Sequence, residues 1–168
     1  MNKHQIAVVA VSLCSLAWAD PVPVSHTRAE FHFTIEMPFA KAAPLFGAFE
    51  EQKWAADFKP EFLYPVPAID QEGSVFRVKH GSHESVWVNT VLDLEGGHVQ
   101  YVYVLGDVLV TRIDIHLSKS GDGGTSVLVV YERTALDPSA NEHVLKMGAH
   151  DGEQGGEWKA ALEAYAKR

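Results

Sequence analysis

Between Phe62 and Leu136 the chain alternates short apolar, β-branched stretches with five turn signals, at Asp70 to Gly73, His80 to His83, Glu95 to Gly97, Leu105 to Asp107 and Ser120 to Gly124. Strands joined in succession by tight turns form an antiparallel meander, so this run predicts a sheet that makes up most of the domain. Turn geometry sets the register, and a slip of one residue exchanges the two faces. A hairpin closed at Gly81-Ser82 sets Phe76 opposite Trp87 and Lys79 opposite Glu84. Closing the next at Gly96-Gly97 sets Val91 opposite Val102 and Asn89 opposite Val104. Closing the third at Gly106-Asp107 sets Val102 opposite Thr111 and Val104 opposite Leu109. One face then collects Phe76, Trp87, Asn89, Val91, Val102, Val104, Thr111 and Ile113, and is the one predicted to be buried. The register leaves Tyr101 and Tyr103 outside, which a β-bulge in the second or third hairpin would reverse. In the last strand Val127, Val129 and Tyr131 alternate with Leu128, Val130 and Glu132, so period alone leaves both orientations open.

Before the meander, Phe31, Phe33 and Ile35 alternate with His32, Thr34 and Glu36, the period of a half-buried strand. Pro38 suits a first helical turn, and Pro44 and Gly47 interrupt the apolar face that follows, which predicts two short helices near 38–47 and 48–56. After the meander, Ser139 and Glu142 have the spacing of a capping box opening a helix that runs to Ala166. Val144, Met147, Asp151, Gly155, Trp158, Leu162 and Tyr165 share one stripe of it. Gly148, Gly152, Gly155 and Gly156 weaken its middle by about 1 kcal/mol each. The order is α+β: a curved sheet closed by one long helix. Where that helix offers glycine, a cavity lined by Phe76, Trp87, Val102, Ile113 and Met147 is expected, with Trp54 and Phe58 at its mouth.

The 168 residues are 46% hydrophobic and 21% charged, which suits one core-forming domain. The first nineteen read as an address. Lys3 precedes an apolar run from Ile6 to Trp18, and Ala17 and Ala19 stand where a signal peptidase reads small residues, so cleavage is predicted before Asp20. The run is too short to span a bilayer and is followed by Asp20-Pro21-Val22-Pro23. The expectation is a periplasmic or secreted protein with no stable membrane anchor after cleavage, an extended leader at 20–29 and a single domain at 30–168. Cleavage also removes Cys14, the one cysteine. A formal charge of -8 repels phosphate backbones, so nucleic acid is not an expected partner. The pattern leaves the oligomeric state open.

His80 and His83 flank a turn, but no third ligand stands near them, and His143 and His150 lie about 10.5 Å apart along a helix. No metal site is predicted. The chain holds no Gly-x-Ser-x-Gly elbow, phosphate loop or dinucleotide fingerprint, so no cofactor is expected either. Trp87 and Asn89 would set an aromatic wall beside an amide, with the hydroxyls of Thr111 and Tyr131 facing the same space. Asp151, on the inner stripe of the helix, is the candidate acid or base, acting with Tyr131 or Asn89, because burial raises a carboxyl pKa. Each of these side chains equally suits ordinary core packing.

The ordered set Leu45-Phe46, Glu51, Trp54-Ala55, Pro60 to Pro65, Gly73-Ser74-Val75-Phe76, Val86-Trp87, Tyr101, Gly124-Thr125 and Tyr131 to Leu136 resembles bacterial members of the SRPBCC superfamily, the START-like, polyketide-cyclase-like helix-grip proteins. The resemblance spans residues 30–166. It implies a seven-stranded antiparallel sheet gripping a C-terminal helix around an apolar pocket, with a hydrophobic or aromatic small molecule, such as a lipid or polyketide, as partner. The ligand would meet Trp54, Phe58, Phe76, Trp87, Asn89, Val91, Val102, Val104, Thr111, Ile113, Tyr131, Met147 and Trp158. Two alternatives stand beside simple binding. One is a cofactor-independent cyclase or dehydratase using Asp151. The other is an interaction module with a filled core and an outer face carrying Tyr101 and Tyr103.

Overall fold

The computed structural model describes residues 22–81 and 83–168; the predicted signal segment and its cleavage point lie outside the described residues. Seven strands form one antiparallel sheet: β1 (His26–Ile35), β2 (Glu61–Tyr64), β3 (Val75–His80), β4 (His83–Asp93), β5 (His98–Leu105), β6 (Leu109–Lys119) and β7 (Thr125–Ala135). Their spatial order is β1-β7-β6-β5-β4-β3-β2. Short helices α1 (Phe39–Ala42) and α2 (Ala48–Glu51), separated by a 3-10 turn at Ala43–Phe46, follow β1. Helices α3 (Asn141–Asp151) and α4 (Gly155–Ala166) close the chain.

The first strand alternates as expected, with Phe31, Phe33 and Ile35 buried, and begins earlier than its apolar part. His26 to Ala29, expected in the leader, already pair with Thr134 to Tyr131 on β7. The β3–β4 hairpin has the predicted register, Phe76 opposite Trp87 and Lys79 opposite Glu84. The next two hairpins do not. Asn89 pairs with Tyr101 but Val91 pairs with Gln100, so a bulge at Thr90 sets two residues of β4 against one of β5. Asn89 staples this bulge, its Nδ2 donating to the carbonyls of Val91 and Gln100, both at 3.0 Å. The bulge turns β5 over: Tyr101 and Tyr103 are buried, whereas Val102 and Val104 face outward and Val91 lies on the outer side with Gln100. Val91, Val102 and Val104 therefore do not line the interior, and the outer tyrosine face expected of an interaction module does not exist. Gly106 to Val108 form a three-residue loop, which offsets β6 by one more and returns Leu109, Thr111 and Ile113 to the inside.

The closing helix is two helices. No Ser139–Glu142 capping box starts it; Asp137 caps the 3-10 turn at Pro138–Ala140 instead, its Oδ1 accepting from the Ser139 amide at 2.8 Å. Helix α3 ends at Asp151 and a turn at Gly152–Gln154 leads into α4. The glycines do not hollow the interior but let the helices approach β1. A methyl group on Gly148 would stand 2.6 Å from Thr27 Cβ, and one on Gly155 3.2 Å from the Phe31 ring, while one on Gly156 would meet nothing. Overpacking costs about 1–3 kcal/mol, whereas replacing an unconstrained helical glycine by alanine gains up to about 1 kcal/mol. Gly148→Ala is thus expected to lower the denaturation midpoint and Gly156→Ala to raise it. A rise in both, measured by chemical denaturation, would show that the helix does not rest on β1.

Candidate functional site

The layer between sheet and helices holds two sets of aromatic rings. In one, Trp87 stacks on Tyr103 with centroids 4.2 Å apart and on Phe76 at 5.7 Å, and Phe58 meets it edge-on at 5.9 Å. The space expected beside Trp87 is occupied by these rings, and the indole Nε1 donates to Ser85 Oγ at 2.7 Å. In the other, Trp158 packs edge-on against Phe31 at 5.5 Å and Trp54 at 5.4 Å, and Trp54 Nε1 donates to the Leu45 carbonyl at 2.7 Å. Met147 packs half-buried against the same core, and Ile113 sits in register between Tyr101 and Tyr131. Two grooves of about 730 and 600 Å³ open on the outer sides of the helices, one along Glu30 to Thr34 and Gly152 to Gly156, the other between Met37, Pro44 and Tyr165.

Polar groups are set among the rings by strand period and helix spacing. Arg133 has the parity of Val127, Val129 and Tyr131, so the side of β7 that packs inward carries a guanidinium. Its Nε and Nη2 donate to the two oxygens of Asp151 at 2.6 and 2.7 Å, and Nη1 donates to Thr111 Oγ1 at 2.9 Å and to the Tyr103 hydroxyl. Its centre lies 5.0 Å from the Tyr131 ring. Burial works against the charge, but the bonds to Asp151 and Tyr103 outweigh it and hold Arg133 protonated. Asp151 is buried as the helical stripe predicts, yet both its oxygens are engaged by Arg133, so it is no free acid or base. Thr111 is committed to the same network and Asn89 to the bulge. Asn89, Thr111 and Asp151 are therefore structural, and of the predicted site Trp54, Phe58, Phe76, Trp87, Ile113, Tyr131, Met147 and Trp158 share the interior.

The carboxyl that remains is Glu51. It ends α2 on the stripe of Ala48 and Trp54, both buried, and its side chain accepts no hydrogen bond among the described residues. The side chain is half-buried, not sealed off from water, and this desolvation, reinforced by Asp70, pushes its pKa up to about 8. Asp70 is itself raised by burial, against the amides of Phe49 and Glu50 that donate to it at 2.7 and 3.0 Å. Burial likewise raises the Tyr101 and Tyr131 hydroxyls, and the charge of Glu51 raises both further. Tyr101 donates to the Phe46 carbonyl at 2.8 Å, which fixes α2 over the sheet. Reading the candidate carboxyl from the closing helix alone misses Glu51; the i, i+3, i+6 spacing of Ala48, Glu51 and Trp54 is the signal that marks it.

Likeness to solved structures rests on this architecture. Ara h 8.0201 superimposes with a TM-score of 0.63 at 15% identity, over 86% of this chain and 100% of that one. Norcoclaurine synthase from Thalictrum flavum does so with a TM-score of 0.62 at 10% identity, over 98% and 99%. The chain has the helix-grip fold. A point mutant of the same synthase in complex with a transition-state analogue gives 0.61 at 12% identity over 85% and 98%, and an uncharacterized protein from Rhizobium leguminosarum gives 0.61 at 14% over 86% and 97%. No family model matches the chain, and neither does any curated protein sequence. In this helix grip Glu51 departs from an ordinary surface carboxyl, being half-buried with a raised pKa.

That departure has a measurable sign. Glu51 titrates near 8 when folded and near its ordinary 4.5 when unfolded. Between those values the folded chain holds a proton that the unfolded chain has lost, so stability falls as pH rises, by at most about 1.4 kcal/mol per pH unit. Glu51→Gln is expected to remove this slope, so that its thermal midpoint gains on the native protein from pH 5 to pH 8. A gap between the two proteins that stays constant over that range would place the carboxyl in water.

Proposed function

We propose that the chain is an exported SRPBCC-superfamily protein that takes a hydrophobic, partly aromatic small molecule into the layer between sheet and helices, with Glu51 as its polar anchor. The observation that carries this reading is a half-buried carboxyl at the end of α2, with no hydrogen-bond partner among the described residues and near enough to Tyr101 and Tyr131 for its charge to raise both hydroxyls. Perturbed carboxyls of this kind gather at functional sites. Below about pH 8 it is protonated and donates to a carbonyl or hydroxyl oxygen of the ligand. Burial of apolar ligand surface, at about 25 cal/mol per Å², supplies the driving force. Phe58, half-buried on the segment between α2 and β2, is the ring whose displacement opens space against Trp87 and Phe76.

A second reading is favoured by the same pKa. A carboxyl titrating near 8 is matched to proton transfer at neutral pH, so a cofactor-independent cyclase- or dehydratase-like reaction would use Glu51 rather than Asp151.

Binding is tested with naphthalene and 2-naphthol, read by quenching of tryptophan fluorescence. The native protein is expected to prefer 2-naphthol severalfold, about 1 kcal/mol for one hydrogen bond, Glu51→Leu to lose the preference, and Phe58→Ala to tighten both. No binding even to Phe58→Ala, or an equal preference in native and Glu51→Leu proteins, would overturn the proposal. Export is tested by the intact mass of the protein recovered outside the cytoplasm, which is expected to begin at Asp20; a chain beginning at Met1 would overturn that part.

A further inference from the structure

On the outer face of the sheet, away from the interior, β5 and β6 bring together His98, His116 and Asp114. His98 and His116 are paired across the strands, and Asp114 stands two residues before His116 on the same face. The imidazole rings lie parallel, centroids 4.6 Å apart and planes 12° apart. Both Nε2 atoms point at one carboxylate oxygen, Asp114 Oδ1, at 2.6 Å from His98 and 3.4 Å from His116. The three donor atoms all lie within 4.8 Å of one another.

We infer that this triad is a binding site for a transition-metal dication of the zinc class, independent of the small-molecule reading above. Bonds of about 2.0–2.2 Å to imidazole nitrogen and carboxylate oxygen place tetrahedral ligands about 3.4 Å apart, so an ion needs only small side-chain rotations to seat among these three atoms. Two imidazoles with one carboxylate favour Zn²⁺, Cu²⁺ or Ni²⁺ over Ca²⁺ or Mg²⁺, which take all-oxygen shells. The surroundings are built for it. Gln100 Nε2 donates to Asp114 Oδ2 at 3.2 Å, leaving Oδ1 for the ion, and Thr90 Oγ1 donates to Gln100 Oε1 at 2.9 Å. Such an outer chain of hydrogen bonds orients metal-bound carboxylates. Both strands are internal to the sheet, which holds the donors on a rigid frame. The nearest guanidinium on that face of β6, Arg112, is engaged by Glu132 at 2.7 Å and does not compete. The His116 side chain is half exposed, so the fourth position opens to solvent.

Tag-free protein is titrated with Zn²⁺ by calorimetry and with Co²⁺ by visible absorption, with thermal midpoints recorded for every variant. One ion per chain is expected, with Co²⁺ giving a low-coordinate spectrum. His98→Ala, His116→Ala and Asp114→Asn should each lose roughly tenfold or more in affinity, Gln100→Ala about tenfold, and His143→Ala nothing. Because His98 and His116 are partly exposed, their variants should keep the native midpoint without metal. Absence of binding to the native protein, or binding undiminished in the His98→Ala/His116→Ala double variant, would overturn the assignment.

Discussion

The guanidinium of Arg133 lies inside the layer between sheet and helices, where a charge left alone costs several kcal/mol, so what surrounds it is arranged to meet its donors. Asp151 supplies two acceptors, Thr111 and Tyr103 one each, and Tyr131 offers the face of its ring. These partners come from β5, β6, β7 and the last residue of α3. The network therefore ties the closing helices to the centre of the sheet, and it does so at the residue where α3 stops. Removing one member of such a pair costs about 3–5 kcal/mol, while replacing both by apolar groups is often neutral. The pair specifies where the helices lie more than it adds to stability.

With Arg133 and Asp151 satisfying each other, Glu51 stands out as the carboxyl without a counterpart. It is held by a different set of contacts: the capping of α2 by Asp70, the Tyr101 hydroxyl on the Phe46 carbonyl, and the Trp54 indole on the Leu45 carbonyl. Each ties the short helices to the sheet, to one another or, through Asp70, to the loop between β2 and β3, without neutralising Glu51. The layer between sheet and helices thus contains one buried charge pair that is complete, while the acidic group at the end of α2 is half-buried and has no such partner.

Much of this was legible in the residues, and the failures have local causes. The alternation of Phe31, Phe33 and Ile35, the Phe76–Trp87 pairing and the inner stripe holding Asp151 follow directly from period and turn length. The faces of β5 do not, because a bulge stapled by Asn89 leaves no mark in alternation: Tyr101-Val102-Tyr103-Val104 is amphipathic in either orientation. Thr111 and Ile113 fall inside because a second irregularity, the three-residue loop after Leu105, cancels the first. Arg133 and Glu51 were readable from parity and helical spacing, yet an ionic residue on a buried face is the exception to the burial rule that pattern reading applies. The glycines of the closing segment were visible; that they admit Thr27 and Phe31 rather than space depends on a strand more than a hundred residues away in the chain.

The bulge at Thr90 and the loop at Gly106 to Val108 form a matched pair of length changes. Their offsets cancel at β6, which keeps Ile113 inside and Arg112 and Asp114 outside. A length change in the loop can be taken up within the turn, whereas loss of the bulge would turn β5 over and carry Tyr101 and Tyr103 outward. Over evolutionary descent, kindred sequences should vary in length at the loop and keep it at the bulge.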